Sequence, residues 1–334
     1  MYSITDRFIK ILITCGGSFQ GLTLLKAIKA SKVNSLIFLM DINDENITKY
    51  FADFFFCTPP VADNQLYLDT ILKVCLKYKI NYIIPVTPID APLLSKIKTN
   101  FIKEHNIKII VPDLDILETF LDKSLTIDFL LSNNLPSIPT FSEIKQNINF
   151  PIILKPKKGQ GSKGIIKIFN EEELEKQREV LQTKDYIIQP LIEKFNEFSL
   201  DFSVSFNGKI SEIIVRKREF TSLGFATVMK TICPSQDFNS LIEKIKKIFC
   251  KPNFVGIYNI QIIHDLDNNI YYVSDINPRI GTSAVTSIFM ENNFIENLFD
   301  LTNSKFELSE TKIIRFLDEK IAPIQKNFVK NIII

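Results

Sequence analysis

The sequence predicts an α/β half followed by an α+β half: a doubly wound parallel N-terminal domain, then a small and a larger sheet-bearing region. Three observations carry this. In the first third, short β-branched runs alternate with helical patterns, which signals a parallel sheet. After Pro151 the pattern changes to strands joined by short turns. Near the end, an apolar run closes on Asp275, Asn277 and Arg279, a carboxylate, an amide and a guanidinium at alternate positions.

Ile9 to Thr14 reads as the first strand and Gln20 to Ala30 as a helix. Ser35 to Met40 is a second strand, Gln65 to Tyr78 a helix, Asn81 to Pro85 a third strand and Ile107 to Val111 a fourth. The turn Cys15-Gly16-Gly17-Ser18-Phe19-Gln20-Gly21 is close to a dinucleotide fingerprint, and Asp41 closes the second strand. Its glycine spacing departs from G-x-G-x-x-G, so a tight packing corner is the favoured reading. Asp113 to Leu131 reads as one helix, with Asp113 or Asp115 as its N-cap.

The second pattern opens with a strand, Ile152 to Pro156, which ends in Lys155-Pro156. A Gly/Lys loop, Lys157 to Gly164, leads to a strand at Ile165 to Phe169, a charged helix at Glu171 to Leu181 and a strand at Tyr186 to Gln189. Asn196 to Phe206, Lys209 to Arg218, Gly256 to His264 and Ile270 to Ser274 read as an antiparallel sheet, with Asn207-Gly208 as a hairpin turn. Ser240 to Cys250 reads as an amphipathic helix and Ile313 to Phe316 as a last strand.

Bulk properties exclude several functions. The chain has 334 residues with 40 basic against 38 acidic side chains, which leaves no electrostatic footprint for nucleic acid or an anionic membrane. No apolar run reaches the roughly 18 residues of a membrane span, and Met1 to Lys10 lacks the apolar stretch of a signal peptide. The five cysteines are scattered without a C-x-x-C pair, as expected of reduced thiols in a cytoplasmic protein. The only histidines are His105, in a charged stretch read as a loop, and His264, so zinc is not expected.

The chemistry concentrates in two places. Residues i, i+2 and i+4 of a strand share a face, so Asp275, Asn277 and Arg279 converge. If the Asp265 to Asn269 turn centres on Asn268, Gln261 lies opposite Asp275 and Asn259 opposite Asn277. Hard oxygen ligands beside a fixed cation suit a Mg²⁺-polyphosphate; the competing reading is an edge strand with a solvated face. The loop from Lys157 to Gly164 offers backbone N–H groups and lysine charge to an anion, although it is not a Walker A loop and could be an exposed hairpin tip. Lys155 closes an otherwise apolar strand, where a lysine rarely serves packing.

Taken in order, Lys123 in L-D-K-S-L-T, then P-I-I-L-K-P-K-K-G-Q-G-S-K-G-I, then I-I-Q-P-L-I with N-E-F-S-L-D, then N-I-Q and S-D-I-N-P-R-I-G-T-S resemble the ATP-grasp superfamily. The branch most similar is that of the carbamoyl phosphate synthetase large subunit and biotin carboxylase. The resemblance implies a pre-grasp α/β domain over 1–112, a linker helix and lid subdomain over 113–187 and a larger antiparallel-sheet subdomain over 188–334.

It also implies roles. Lys123 and Lys155 would neutralise phosphates of ATP, and the loop of Gly159, Gly161, Ser162, Lys163 and Gly164 would close over them. Gln189, Pro190, Leu191 and Ile192 would line the adenine pocket, and Glu197 would accept from the ribose. Gln261, Asp275 and Asn277 would hold one or two Mg²⁺, with Mn²⁺ as an alternative ion. Arg279 would stabilise an acyl phosphate, and Arg216 and Arg218 would meet the phosphoryl group or the substrate carboxylate.

The implied activity is an ATP-dependent carboxylate–amine ligase of small molecules, a homodimer being compatible with it. The competing classes are carboxyphosphate or carbamoyl phosphate synthesis and an ATP-binding protein without ligase activity. Two departures from the family pattern stand out. Asp275 replaces a glutamate, and Glu193-Lys194-Phe195-Asn196 replaces the glycine-containing turn before Glu197. Specificity is expected from Gly16 to Ser18, Pro85 to Asp90 and Arg216 to Thr227.

Overall fold

The computed structural model describes residues 8–141, 143–144, 148–159, 161, 163–222, 225–284, 294–301 and 310–315. Ser162 and Phe316 lie outside these. The N-terminal sheet runs in the order β3-β2-β1-β4-β5, from β1 (Ile9–Thr14), β2 (Ser35–Asp41), β3 (Phe54–Cys57), β4 (Tyr82–Pro85) and β5 (Lys108–Ile109), all parallel. Helices α1 (Phe19–Ala30), α2 (Asn64–Tyr78) and α3 (Ala91–His105) connect them. Ile11, Leu12 and Ile13 of β1 are fully buried, as a strand covered on both faces requires. The direction of strand order reverses between β1 and β4, so the loops after these two strands flank the switch-point crevice where open α/β sheets place ligands.

Two elements here escaped the sequence reading. β3 is the short run Phe54-Phe55-Phe56-Cys57, and α3 begins at Ala91-Pro92, with proline in its first turn. His105 therefore ends α3, edge-on to Phe101, and does not sit in a loop.

The stretch read as one helix breaks at Asp122 into α4 (Leu114–Leu121) and α5 (Lys123–Ser132). Asp122 caps α5 by accepting from the Ser124 and Leu125 amides, which fixes Lys123 as the first residue of the helix. A three-stranded antiparallel sheet follows, in the order β7-β6-β8, built from β6 (Ile152–Pro156), β7 (Ile166–Ile168) and β8 (Tyr186–Pro190). It has its own small core of Ile152, Leu154, Ile168, Leu174 and Ile188. The expected single helix divides here too, into α6 (Glu171–Glu175) and α7 (Arg178–Gln182).

The larger sheet has the order β13-β12-β9-β10-β11-β14, from β9 (Phe195–Val204), β10 (Ile214–Ser222), β11 (Phe225–Thr231), β12 (Gly256–Asp265), β13 (Ile270–Asn277) and β14 (Lys312–Ile314). The Asn207-Gly208 turn forms as read, with Gly208 at φ +77. The strand after it starts only at Ile214; Lys209 and Ser211 still bond back to Ser205 and Ser203 where β9 ends, and Asn297 of α9 (Phe294–Leu298) also donates to the Lys209 carbonyl. β11 is a further strand not anticipated. One face of the sheet buries Phe198, Leu200, Phe202, Val215, Tyr258, Ile260 and Ile276 beneath α8 (Gln236–Phe249). The other face carries Glu197, Ser199, Asp201, Arg216, Asn259 and Gln261, with Ile214 and Ile257 buried where it meets the N-terminal domain. A second core joins Ile11, Ile13 and Leu24 to Ile257, Ile280 and Phe294, and so fixes the N-terminal crevice against the end of β13.

Candidate functional site

The hairpin register agrees with the turn reading: Asn259 faces Asn277 and Gln261 faces Asp275. Beyond that pair the ladder shifts, Ile262 facing Val273, so Ser274 is a bulged residue. In an unbroken strand Val273 and Asp275 would share a face. The bulge separates them. Val273 and Ile276 enter the apolar core, while Asp275 and Asn277 line the cleft. Asn277 donates from Nδ2 to Asp275 at 3.0 Å and accepts from Arg279 Nη2 at 3.3 Å, so the three side chains form one linked row.

Alternation on β9 places Glu197, Ser199 and Asp201 on the same polar face. Asp201 is buried, accepts from Asn259 Nδ2 at 2.7 Å and is ion-paired with Arg216. Arg216 also donates to Ser283 at 2.8 Å. Arg216 is expected from the sequence to meet the phosphoryl group or the substrate carboxylate. It is fully buried, its charge is matched by Asp201, and it lines neither cleft described below. Arg218 does reach the cleft, where it pairs with Glu197. One oxygen expected to face the ribose is therefore already engaged.

The lysines converge from separate elements. Burial pushes the Lys155 ammonium below the usual lysine range; Asp275 holds it up in part, Lys123 lowers it further and Glu197 raises it. Those four side chains are thus electrostatic neighbours. Burial likewise lowers Arg279, offset by Asp275. Lys123 is anchored through its amide to Lys157 O at 2.9 Å, and its ammonium donates to Gly159 O at 3.3 Å. Gly159, Gly161 and Gly164 have φ of +148, +67 and +74, conformations that bring backbone close to a ligand without side-chain obstruction. Lys163 is exposed in the same loop. Ser162 lies outside the described residues.

Gln189 is buried, and its Nε2 donates to Thr140 at 2.8 Å. Its Oε1 has no hydrogen-bond partner among the described residues. Pro190 ends β8 opposite Ile152. The Leu191 amide donates to Pro151 O at 2.9 Å.

Two clefts share Asn277 and Arg279. The larger, about 570 Å³, lies between the polar sheet face and the N-terminal domain, reaching Gly17, Ser18, Asp41 and Glu45. The smaller, about 240 Å³, runs between Lys123, Lys158 and Asp275 and the loop after β4, at Thr87 and Pro88. The expected specificity segments at Gly16 to Ser18 and Pro85 to Asp90 thus border the clefts. Behind Thr87, buried Asp90 accepts from Thr14, Thr87 and Tyr67, and burial raises its pKa. Those hydroxyls pin the loops after β1 and β4 together. His264 stacks on Tyr271 at 4.0 Å and is structural.

Residues not singled out from sequence complete the wall. Ser199, Gly281 and Ser283 line the larger cleft together with Asn259, whose place opposite Asn277 was read from the hairpin. A Cβ on Gly281 would lie 2.9 Å from Asn259 Nδ2, so that position needs glycine for Asn259 to hold Asp201. The E-F-S-L-D alternation was the available signal for Asp201. Among the described residues no group of three His, Cys, Asp or Glu could hold a metal. The donor set is one carboxylate, Asp275, with the amides of Gln261 and Asn277. That suits a single Mg²⁺ sharing its shell with substrate phosphates, and gives weak support for a second.

The comparisons with known proteins agree with this architecture. Residues 11–110 match the family described as PylC-like, N-terminal domain, and residues 120–283 match the ATP-grasp domain. The carbamoyl phosphate synthase large chain of Saccharolobus solfataricus is 22% identical over 300 residues, covering 83% of this chain and 28% of the relative. The N5-carboxyaminoimidazole ribonucleotide synthase of Staphylococcus haemolyticus is 24% identical over 183 residues, 52% of this chain and 48% of its own. This chain therefore spans less than half the length of either curated relative. Among solved structures, the N5-carboxyaminoimidazole synthetase of Staphylococcus aureus complexed with ADP superposes with a TM-score of 0.73 at 18% identity, over 92% of this chain and 82% of that one.

Proposed function

We propose, from the premise that the chain belongs to the ATP-grasp superfamily, that it activates a small-molecule carboxylate with ATP and joins it to an amine. The observation that carries this is the meeting of Lys123 and Asp275 in the smaller cleft beside Asn277 and Arg279, with Lys155 and Glu197 as their charged neighbours. In this reading a carboxylate oxygen attacks the γ-phosphorus of ATP, the bond to the β,γ-bridging oxygen breaks, and ADP leaves. The amine nitrogen then attacks the acyl carbon, phosphate departs, and the nitrogen loses a proton. Catalysis is positioning and charge neutralisation.

Lys123 and Lys155 balance the α- and β-phosphates, and the loop from Gly159 to Gly164 covers them. Gln189 to Ile192 hold the adenine, and Glu197 keeps its second oxygen for the ribose. Gln261, Asp275 and Asn277 would hold Mg²⁺, which would supply positive charge to the ATP phosphates. Arg279 stabilises the acyl phosphate and the tetrahedral species that follows. The lid comprises the β6–β8 sheet with its separate core, and the N-terminal crevice presents the acceptor. No helix among the described residues is long and apolar enough to cross a membrane.

The deciding experiment measures ADP release from MgATP with hydroxylamine present. Acyl phosphate formation yields a hydroxamate that depends on the added acid. Turnover that survives Lys155→Ala and Asn277→Ala would remove this assignment of the site.

A further inference from the structure

Resting on the ligase reading, we propose that the larger cleft takes an amino acid as its carboxylate substrate, and not bicarbonate or a phosphorylated acid. The charged residues of the cleft are segregated. Arg279, beside Asp275, and Arg218, which is paired with Glu197, stand on the sheet wall; Asp41 and Glu45 stand on the N-terminal wall, whose cleft-lining residues, among those described, include no lysine or arginine. A ligand spanning the cleft needs an anionic end at the first wall and a cationic end at the second.

The N-terminal wall is built against phosphate. The turn after β1 and the first turn of α1 are where, on this wall of the cleft, backbone N–H groups and a helix dipole would draw an anion. That place is taken. Asp41 Oδ2 accepts from the Gly17 amide at 2.7 Å and Oδ1 from the Asn43 amide at 3.0 Å. A Cβ on Gly17 would stand 2.8 Å from this carboxylate, so glycine lets Asp41 seat itself there. A phosphate arriving at the turn meets a fixed negative charge. The α1 dipole in turn offsets part of the Asp41 charge, so the cation is drawn chiefly to Glu45. Glu45 is exposed and has no ion pair among the described residues.

Size agrees. A cleft of about 570 Å³ falls in the range of small-metabolite pockets, roughly 300–1,000 Å³. Bicarbonate would fill a minor part of it and has no group for Glu45. Held as an ammonium at that wall, the substrate's own amine is protonated and cannot attack the acyl phosphate, which leaves that step to the second substrate.

The experiment uses the full chain with MgATP and compares each common L-amino acid with the acid of equal length lacking the amine, with bicarbonate, and with 3-phosphoglycerate. At least one amino acid should release ADP tenfold faster than its desamino partner, bicarbonate and the phosphorylated acid. Glu45→Gln should raise the half-saturating amino acid about tenfold, the loss expected for a hydrogen bond to a charged group. Equal or better use of the desamino acid, bicarbonate or the phosphorylated acid overturns the proposal, as does an unchanged Glu45→Gln variant. If no acid drives ADP release, the ligase reading fails by itself. Calorimetric titration of L-alanine, L-lysine, propanoate and hexanoate into protein holding a non-hydrolysable ATP analogue then decides. Tighter binding of the amino acids sustains the inference, and equal binding ends it.

Discussion

Asn259 donates to Asp201 at 2.7 Å across two neighbouring strands, while facing Asn277 on its other side. Asp201 is thus shared between the strand that faces Asn277 and Arg216, whose Nη1 holds Ser283 at the cleft wall. A buried charge pair of this kind is weak evidence of net stability, but losing one partner strands the other. Asp201→Ala should therefore cost about 3–5 kcal/mol in chemical denaturation, through the uncompensated Arg216. Replacing both residues together, Asp201→Leu with Arg216→Met, should recover most of that loss. A double variant as unstable as the single one would show that the pair does more than neutralise itself.

The donor set proposed for Mg²⁺ contains one carboxylate, so on that proposal metal dependence is steeply sensitive to two positions. Asp275→Asn should lower ADP release by about 100-fold, and raised Mg²⁺ should restore part of it. Gln261→Glu, directly opposite Asp275, adds a second carboxylate and should lower the half-saturating Mg²⁺. Titrating Mg²⁺ at fixed ATP reads both. An Asp275→Asn variant with an unaltered Mg²⁺ curve would move the metal elsewhere.

The parallel sheet, the Asn207-Gly208 turn and the pairing of Gln261 with Asp275 were legible because each depends on local pattern: periodicity, turn residues, and counting from a hairpin. The pairing of Arg216 was not legible, because nothing local signals that an aspartate fifteen positions away neutralises it. The Ser274 bulge was equally hidden, since the correct pairing of Gln261 with Asp275 does not reveal that Val273 has changed face. β3 and α3 were missed for a different reason: three phenylalanines and a helix opening on proline carry weak periodic signal.

Gln189 offers a buried acceptor with a fixed orientation, because Thr140 engages its Nε2 and so assigns Oε1 to the free side. An exocyclic amine of adenine would satisfy that oxygen; the carbonyl of guanine would repel it. Gln189→Leu should reduce the preference for ATP over GTP by about tenfold, the equivalent of one net hydrogen bond. Thr140→Val should act in the same direction and more weakly, by letting the amide rotate. Nucleotide-dependent thermal shifts with ATP and GTP check this, and unchanged preference in Gln189→Leu would separate Gln189 from the base.

Lys155 should make ATP binding pH-dependent on the alkaline side. Burial places its ammonium below the usual 10.5, and Asp275 only partly restores it. Bound phosphate would favour the protonated form and raise the pKa again. Between the free and bound values, binding must then take up a proton, so affinity falls as pH rises, by at most about tenfold per unit. Below the free value the affinity is level. Lys155→Arg keeps its proton throughout and should flatten the slope, although it fits the site less well. Calorimetry in two buffers of different ionisation enthalpy measures the proton uptake directly. Equal heats at about pH 9, with wild-type affinity level up to the usual lysine range, would mean that Lys155 does not touch the nucleotide.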